Sequence, residues 1–142
     1  MRKYYELDLA APGGPGRRSV SEGGRNPKVY YSLHVVFESW LGDELVHFYP
    51  CFLVSKDLGA KFQSAGLTGF ELADFETEKD SQFDLVYGGL KLPDFWWLKI
   101  TGRHGADDFF LSDQYWMIAS EDALDVIGTA NVPTLAADEY LV

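Results

Sequence analysis

Sulfur and imidazole are scarce in this chain: its 142 residues include one cysteine, two methionines and three histidines. A lone Cys51 closes no intramolecular disulfide, which excludes the stapled scaffolds of small secreted domains. No 18-residue apolar run occurs, so no membrane-spanning helix is expected. The opening MRKYYELDL lacks the apolar stretch of a secretory leader, and a cytoplasmic location is the expectation. Neither GxSxG nor HExxH is found, no His/Cys set has metal-ligand spacing, and no cofactor or metal is expected. Basic residues are also few, 12 against 22 acidic, for a net charge of −10. The imbalance is uneven: residues 1–28 hold six basic and three acidic groups, whereas residues 29–142 carry a net −13. Such a body repels phosphate backbones, which argues against nucleic-acid binding. It favours solubility or the steering of a basic partner.

What the chain does have is apolar and aromatic side chains, 46% and 15% of residues. With 142 residues this suffices for one domain, 1–142, with a substantial core. The organising stretch is Gly105–Ala130, read as a polar turn, a short strand, a Ser cap and a helix. The same plan stands 65 positions upstream, in Tyr49–Leu67. Ser55 and Ser120 occupy the cap positions, where a hydroxyl accepts a free backbone N–H. Asp57 and Asp122 follow in the first turns, near the positive end of the helix dipole. Leu58, Phe62 and Ala65 make one apolar face, and Ala123, Val126 and Ile127 the other. The fold class expected is α+β, mainly strands with two short Ser-capped helices in two similar strand–helix units.

Taken in order, Lys3–Leu9 reads as an opening strand. Residues 10–27, with five Gly, three Pro and three Arg, read as a mobile loop. GGPGRR lacks P-loop spacing. Val29–Phe37 reads as one strand, Glu38–Glu44 as a turn, Leu45–Val54 as an apolar strand and Thr68–Phe75 as another. Glu76–Asp84 reads as an acidic connection. In Asp94–Thr101, Trp96, Leu98 and Ile100 share one face and Phe95, Trp97 and Lys99 the other. A strand apolar on both faces is central or covered on both sides. ADEYLV reads as a last strand.

Few residues invite a chemical reading. On one strand His47 and Cys51 share a face but stand roughly 13 Å apart, too far for a nucleophile pair. His104 with Asp107 and Asp108 lacks a second His or Cys ligand and reads as a solvated turn. Glu76, Glu78, Asp80 and Asp84 lack the glycine of a calcium loop. Asp94 and Asp113 stand near aromatic clusters, the pairing a carboxylate-dependent hydrolase uses, and this is the alternative activity. A third reading is a homo-oligomer joined through Phe95 and Trp97.

Several segments together carry a resemblance. They are the opening M-x-x-Tyr-Tyr (Tyr4, Tyr5), the Val-Ser helix start at Val54–Leu58 and its Gly-Leu-Thr-Gly-Phe close at Gly66–Phe70. To these add GADDFF at Gly105–Phe110, similar to a G-x-D-(x)-F element, and the Ser120 helix start. The set resembles small bacterial immunity proteins of polymorphic toxin systems, a type formerly classed as a domain of unknown function. The likeness covers most of the chain after about residue 45; residues 10–27 match nothing in it. It implies a non-catalytic inhibitor that binds a cognate protein toxin, with no catalytic residues, and it leaves a homodimer open. An acidic inhibitor is steered onto a basic toxin. Charge density places the expected contacts at Glu76, Glu78, Asp80, Asp84, Asp107 and Asp108.

Overall fold

The aromatic segment FWWLKI forms β10 (Phe95–Ile100), a central strand with a covered face on each side. The computed structural model describes residues 2–24 and 27–142; Met1, Arg25 and Asn26, which belong to the M-x-x-Tyr-Tyr opening and the Gly/Pro/Arg-rich stretch, lie outside the described residues. β10 pairs antiparallel with β7 (Cys51–Ser55) on one side and β8 (Phe70–Ala73) on the other. With β6 (Leu45–Phe48) these make a four-stranded sheet in the order β6-β7-β10-β8. A second four-stranded sheet runs β11 (Phe109–Leu111), β12 (Met117–Ser120), β1 (Tyr4–Asp8), β13 (Ala136–Tyr140). The class is α+β: mostly strands in several sheets, with three helices among the described residues.

The period-2 alternation of β10 sorts its side chains between two cores. Leu98, with Trp96 and Ile100 beside it, joins Val54, Phe52, Leu58 and Phe62. That core also takes Leu7, Phe109, Met117, Ala119, Ala123 and Ile127, so both four-stranded sheets share it. The helices α1 (Lys56–Ser64) and α3 (Glu121–Ile127) pack against each other there. Phe95 and Trp97 face the opposite way, into a core with Leu53, Val35, Phe37, Phe48 and Phe83. Both are buried, which removes them as an exposed oligomer contact. A three-stranded sheet closes this second core: β2 (Gly13–Pro15), β5 (His34–Phe37) and β9 (Glu76–Lys79), with β9 parallel to β5 at the edge.

Four segments differ from the sequence reading. Within residues 10–27, Gly13–Pro15 and Val20–Glu22 are strands rather than loop, the latter (β3) pairing with β4 (Val29–Ser32). Gly13 allows this because a Cβ there would stand 1.9 Å from the Val36 carbonyl oxygen. Val29–Phe37 is not one strand: it breaks at Leu33, and β4 and β5 belong to different sheets. Leu45–Val54 is a hairpin, turning at Tyr49–Pro50, so His47 lies opposite Phe52 and Cys51 opposite Phe48. Finally, Glu76–Asp84 is β9 and the start of a third helix, α2 (Ser81–Tyr87). Asp80 caps that helix, its carboxylate accepting the Phe83 N–H at 2.8 Å. Proximity of Asp80 to the turn's free N–H groups is what charge density alone conceals.

Candidate functional site

The six acids expected to make contacts fall into two groups, and no hydrogen bond or ion pair joins the groups among the described residues. Glu76 and Glu78 project from edge strand β9 and converge on Arg18, at 2.8 and 3.4 Å. The Arg18 hydrogen bond holds the Glu76 carboxyl below its usual range. Glu78 Oε1 also lies 2.7 Å from His34 Nε2. The Arg18 backbone N–H donates to His34 Nδ1 at 3.3 Å, and Arg18 Nη2 lies 3.1 Å from His34 Nε2. Asp84, on the exposed side of α2, makes a distant ion pair with Lys79, at 3.7 Å. Asp80 is committed to its cap.

Beside these acids lies an apolar patch. Leu85 is 84% exposed and Val86 71%, on the same short helix as Asp84, and Leu90 just beyond is also exposed. Helix α2 is anchored on its inner side by Phe83, with the half-buried Tyr87 ring packed beside it. An apolar centre with an acidic border is the anatomy of a protein-binding patch.

Asp107 and Asp108 serve different ends. Asp107 accepts the Arg103 N–H at 2.6 Å and closes its own turn. Asp108, 4% exposed, accepts from Ser120 Oγ (2.7 Å), the Thr68 N–H (2.9 Å), Thr68 Oγ1 (3.2 Å) and Arg2 (2.6 Å). Its oxygens are engaged inside the chain. Sequence reading passed over Glu44, which makes a parallel set of bonds. Ser55 Oγ donates to Glu44 Oε1 at 2.7 Å, and the Asn131 N–H donates to Glu44 Oε2 at 2.7 Å. The backbone matches as well: Ser55 N–H to Glu44 O and Ser120 N–H to Asp108 O, both 2.7 Å. Each acid thus ties a Ser hydroxyl at one helix start to backbone just beyond the other helix. The hydroxyls also accept from Leu58 N–H and Ala123 N–H, each at 3.1 Å. The signal available in sequence was an acid shortly before each Ser strand, but only the sheet pairing brings it to the hydroxyl.

The groups with nucleophilic chemistry are inert. Burial pushes the Cys51 thiol up to about 12, so no thiolate forms at neutral pH. Cys51 borders a cavity of about 690 Å³ with Trp97, Tyr115, Lys28 and Lys99. Lys99 sits 4.3 Å over the Trp97 ring. His47 is 6% exposed, stacked on Phe52 with centroids 4.5 Å apart, and its Nε2 has no partner among the described residues. Burial lowers its pKa to about 4, against a small opposing pull from Asp8. Folded, His47 stays neutral down to about pH 4; unfolded, it takes a proton near 6.5. Between those values the unfolded chain binds more protons, so this contribution is complete above pH 6.5 and falls as pH drops. His47→Phe is therefore expected to hold or raise stability at pH 7, by up to about 1 kcal/mol, since a buried unpaired nitrogen is removed. It is also expected to flatten the loss between pH 6.5 and 4. Urea unfolding of both forms across that range checks it.

Asp94 borders a cleft of about 500 Å³ with Trp40, Glu44, Asp57 and Lys56; Asp113, exposed in the β11–β12 turn, does not border it. Among the described residues no three His, Cys, Asp or Glu side chains are arranged to hold a metal ion. No helix among the described residues is long and apolar enough to cross a membrane. No protein-family model and no curated protein matches the chain.

Proposed function

We propose that this chain is a non-catalytic binding protein of the immunity type, which captures and neutralises a cognate basic protein toxin. The observation that carries the reading is the α2 face, where exposed Leu85 and Val86 stand next to Asp84 on the same helix. Apolar side chains supply affinity after desolvation, and the acidic border speeds encounter with a basic surface. We read the framework as two similar strand–helix units, each with its Ser cap, whose carboxylates Glu44 and Asp108 bind one unit to the other. Asp84, Glu76 and Glu78 stay as contacts in this reading. Asp80 and Asp107 act through their turns, and Asp108 acts as a brace behind the surface.

The test is rescue of a toxin encoded beside this gene, co-expressed with wild-type chain or with the Leu85→Asp, Val86→Asp double variant. Wild type is expected to restore growth. The double variant should bind at least about 100-fold more weakly, as loss of two interface anchors implies, while folding normally. Equal rescue by both forms removes α2 from the interface. The cleft with Asp94 and Trp40 favours a second reading, a carboxylate-dependent hydrolase. Turnover of a glycoside or ester that disappears in Asp94→Asn would establish it in place of the first.

A further inference from the structure

The cavity of about 690 Å³ lies where the ends of β4, β7, β10 and β11 meet, and no residue of α2 or β9 lines it. Its walls are apolar and aromatic, with Tyr30, Phe52, Trp97, Leu111 and Tyr115 among them. Among the described residues its charged groups are two lysines, Lys28 and Lys99, and no acid borders it. In a chain of net charge −10 this is a local reversal of sign. The ladder places Lys99: Trp97 stands opposite Leu53 and Leu98 opposite Phe52, so the next step sets Lys99 against Cys51. The Lys99 ammonium lies 4.3 Å over the Trp97 ring, and its charge pulls against the burial that raises the Cys51 thiol. Trp97 and Cys51 both line the cavity, so the ammonium stands at its wall. Glu71 on β8 is in register with Lys99, yet among the described residues no carboxylate makes an ion pair with either lysine. Tyr115, exposed at the rim, has φ 66, and among the described residues no other side chain besides glycine has a positive φ. A bulky residue is rare in that region, and such strain gathers at ligand clamps. The Ser112 hydroxyl holds the turn, accepting the Gln114 N–H at 3.3 Å and the Trp116 N–H at 3.1 Å.

An ammonium carries three donors and no acceptor, so the group that completes this site must accept, and two like charges require it to be negative. The aromatic walls suit a flat apolar body, which gains by leaving water. We propose that this cavity binds a small aromatic carboxylate, with Lys99 receiving the carboxylate, Lys28 adding charge at the rim and Tyr115 covering the ring. The source we assign is a free molecule, because the volume is that of a site for a whole small ligand. A protein C-terminus that ends in an aromatic residue shares the chemistry and is separated from it by the experiment. The site stands apart from the α2 face, and neither reading depends on the other.

The experiment titrates the intact, isotopically labelled chain with 3-phenylpropionate, and with 3-phenylpropionamide as a neutral isostere, following the backbone amides of Trp97, Lys99 and Tyr115 by NMR. Saturable shifts of those signals with the carboxylate are expected, and binding of the amide at least about tenfold weaker. Lys99→Met, which keeps the methylene stem, should weaken carboxylate binding by at least about tenfold, and Lys99→Arg should restore most of it. Lys28→Met, at the exposed rim, should weaken it about two- to threefold. Thermal unfolding confirms that each variant is folded, and Lys28→Met keeps the test decisive if Lys99→Met is not. Equal affinity for the two probes, no saturable shift, or undiminished binding in either methionine variant would overturn the proposal. An acetylated tripeptide ending in phenylalanine with a free C-terminus is titrated in parallel. Weaker binding of the peptide than of 3-phenylpropionate supports the free molecule. Tighter binding of the peptide keeps the anion site, assigns it to a chain terminus and overturns the free molecule as its source.

Discussion

Asp108→Ala is expected to lower stability by about 3 kcal/mol, or roughly 8–12 °C in Tm for a chain of this size. The carboxylate is nearly buried and receives Ser120, Thr68 and Arg2 at once. Its removal leaves the buried Ser120 hydroxyl and the Thr68 N–H without their acceptor, which costs more than the mean hydrogen bond. Arg2 is largely exposed, and Arg2→Ala should cost no more than about 1 kcal/mol. The acid limb separates this account from simple loss of packing. Burial by itself raises the Asp108 pKa, but the Ser120 and Thr68 hydrogen bonds and the Arg2 charge together hold it below the usual value. A depressed folded pKa gives stability that is complete above about pH 4 and is lost as pH falls through the folded value. That loss should be present in wild type and absent from Asp108→Ala. Guanidinium unfolding at pH 7 and through the acid range reads both effects.

Phe62→Ala should cost still more, about 3–5 kcal/mol, the range for deleting a fully buried ring. Phe62 is closed off from solvent and touches the rings of Phe70 on β8, the edge strand of one four-stranded sheet, and of Phe109 in the other, at 5.7 and 5.0 Å. A cavity there weakens both sheets together if they share one core. Far-UV circular dichroism and tryptophan fluorescence should therefore keep a single coincident transition, shifted down by roughly 10–15 °C. Two separated transitions would mean that the sheets are energetically independent.

Much of the fold was legible wherever one segment's own pattern determines its environment. FWWLKI has apolar side chains on both faces, and a strand of that kind must be central, as β10 is. Tyr4–Asp8 and Phe70–Ala73 declared themselves by β-prone composition bounded by turns. Three other segments hid behind their composition. ETEK has no apolar face, so nothing local marks β9; it is a strand because β5 offers it an edge. Tyr49–Pro50 sits inside an apolar run that reads continuously, and the reversal there turned one expected strand into a hairpin. Gly13–Pro15 pairs because glycine lets the Val36 carbonyl approach, a close contact that no propensity reports.

The candidate site was less legible, because charge density counts carboxylates without saying where their oxygens point. Glu76 and Asp84 are exposed, as a contact residue must be. Asp80 and Asp107 spend their oxygens on local N–H groups, and Asp108 on a hydroxyl 12 residues away. Asp43 and Glu44 looked like turn residues, yet both reach the segment after α3, some 90 positions along the chain. Leu85 and Val86 gave no signal either, since an apolar pair in sequence is normally core. Only the placement of Phe83 on the inner side of α2 turns them outward.

The binding-protein reading is tested most directly by purifying the tagged chain from its native host and identifying by mass spectrometry what remains attached. The account predicts one stoichiometric basic protein, toxic when expressed alone and no longer retained by the Leu85→Asp, Val86→Asp variant. Recovery of the chain by itself, together with glycoside or ester turnover that Asp94→Asn abolishes, would contradict it.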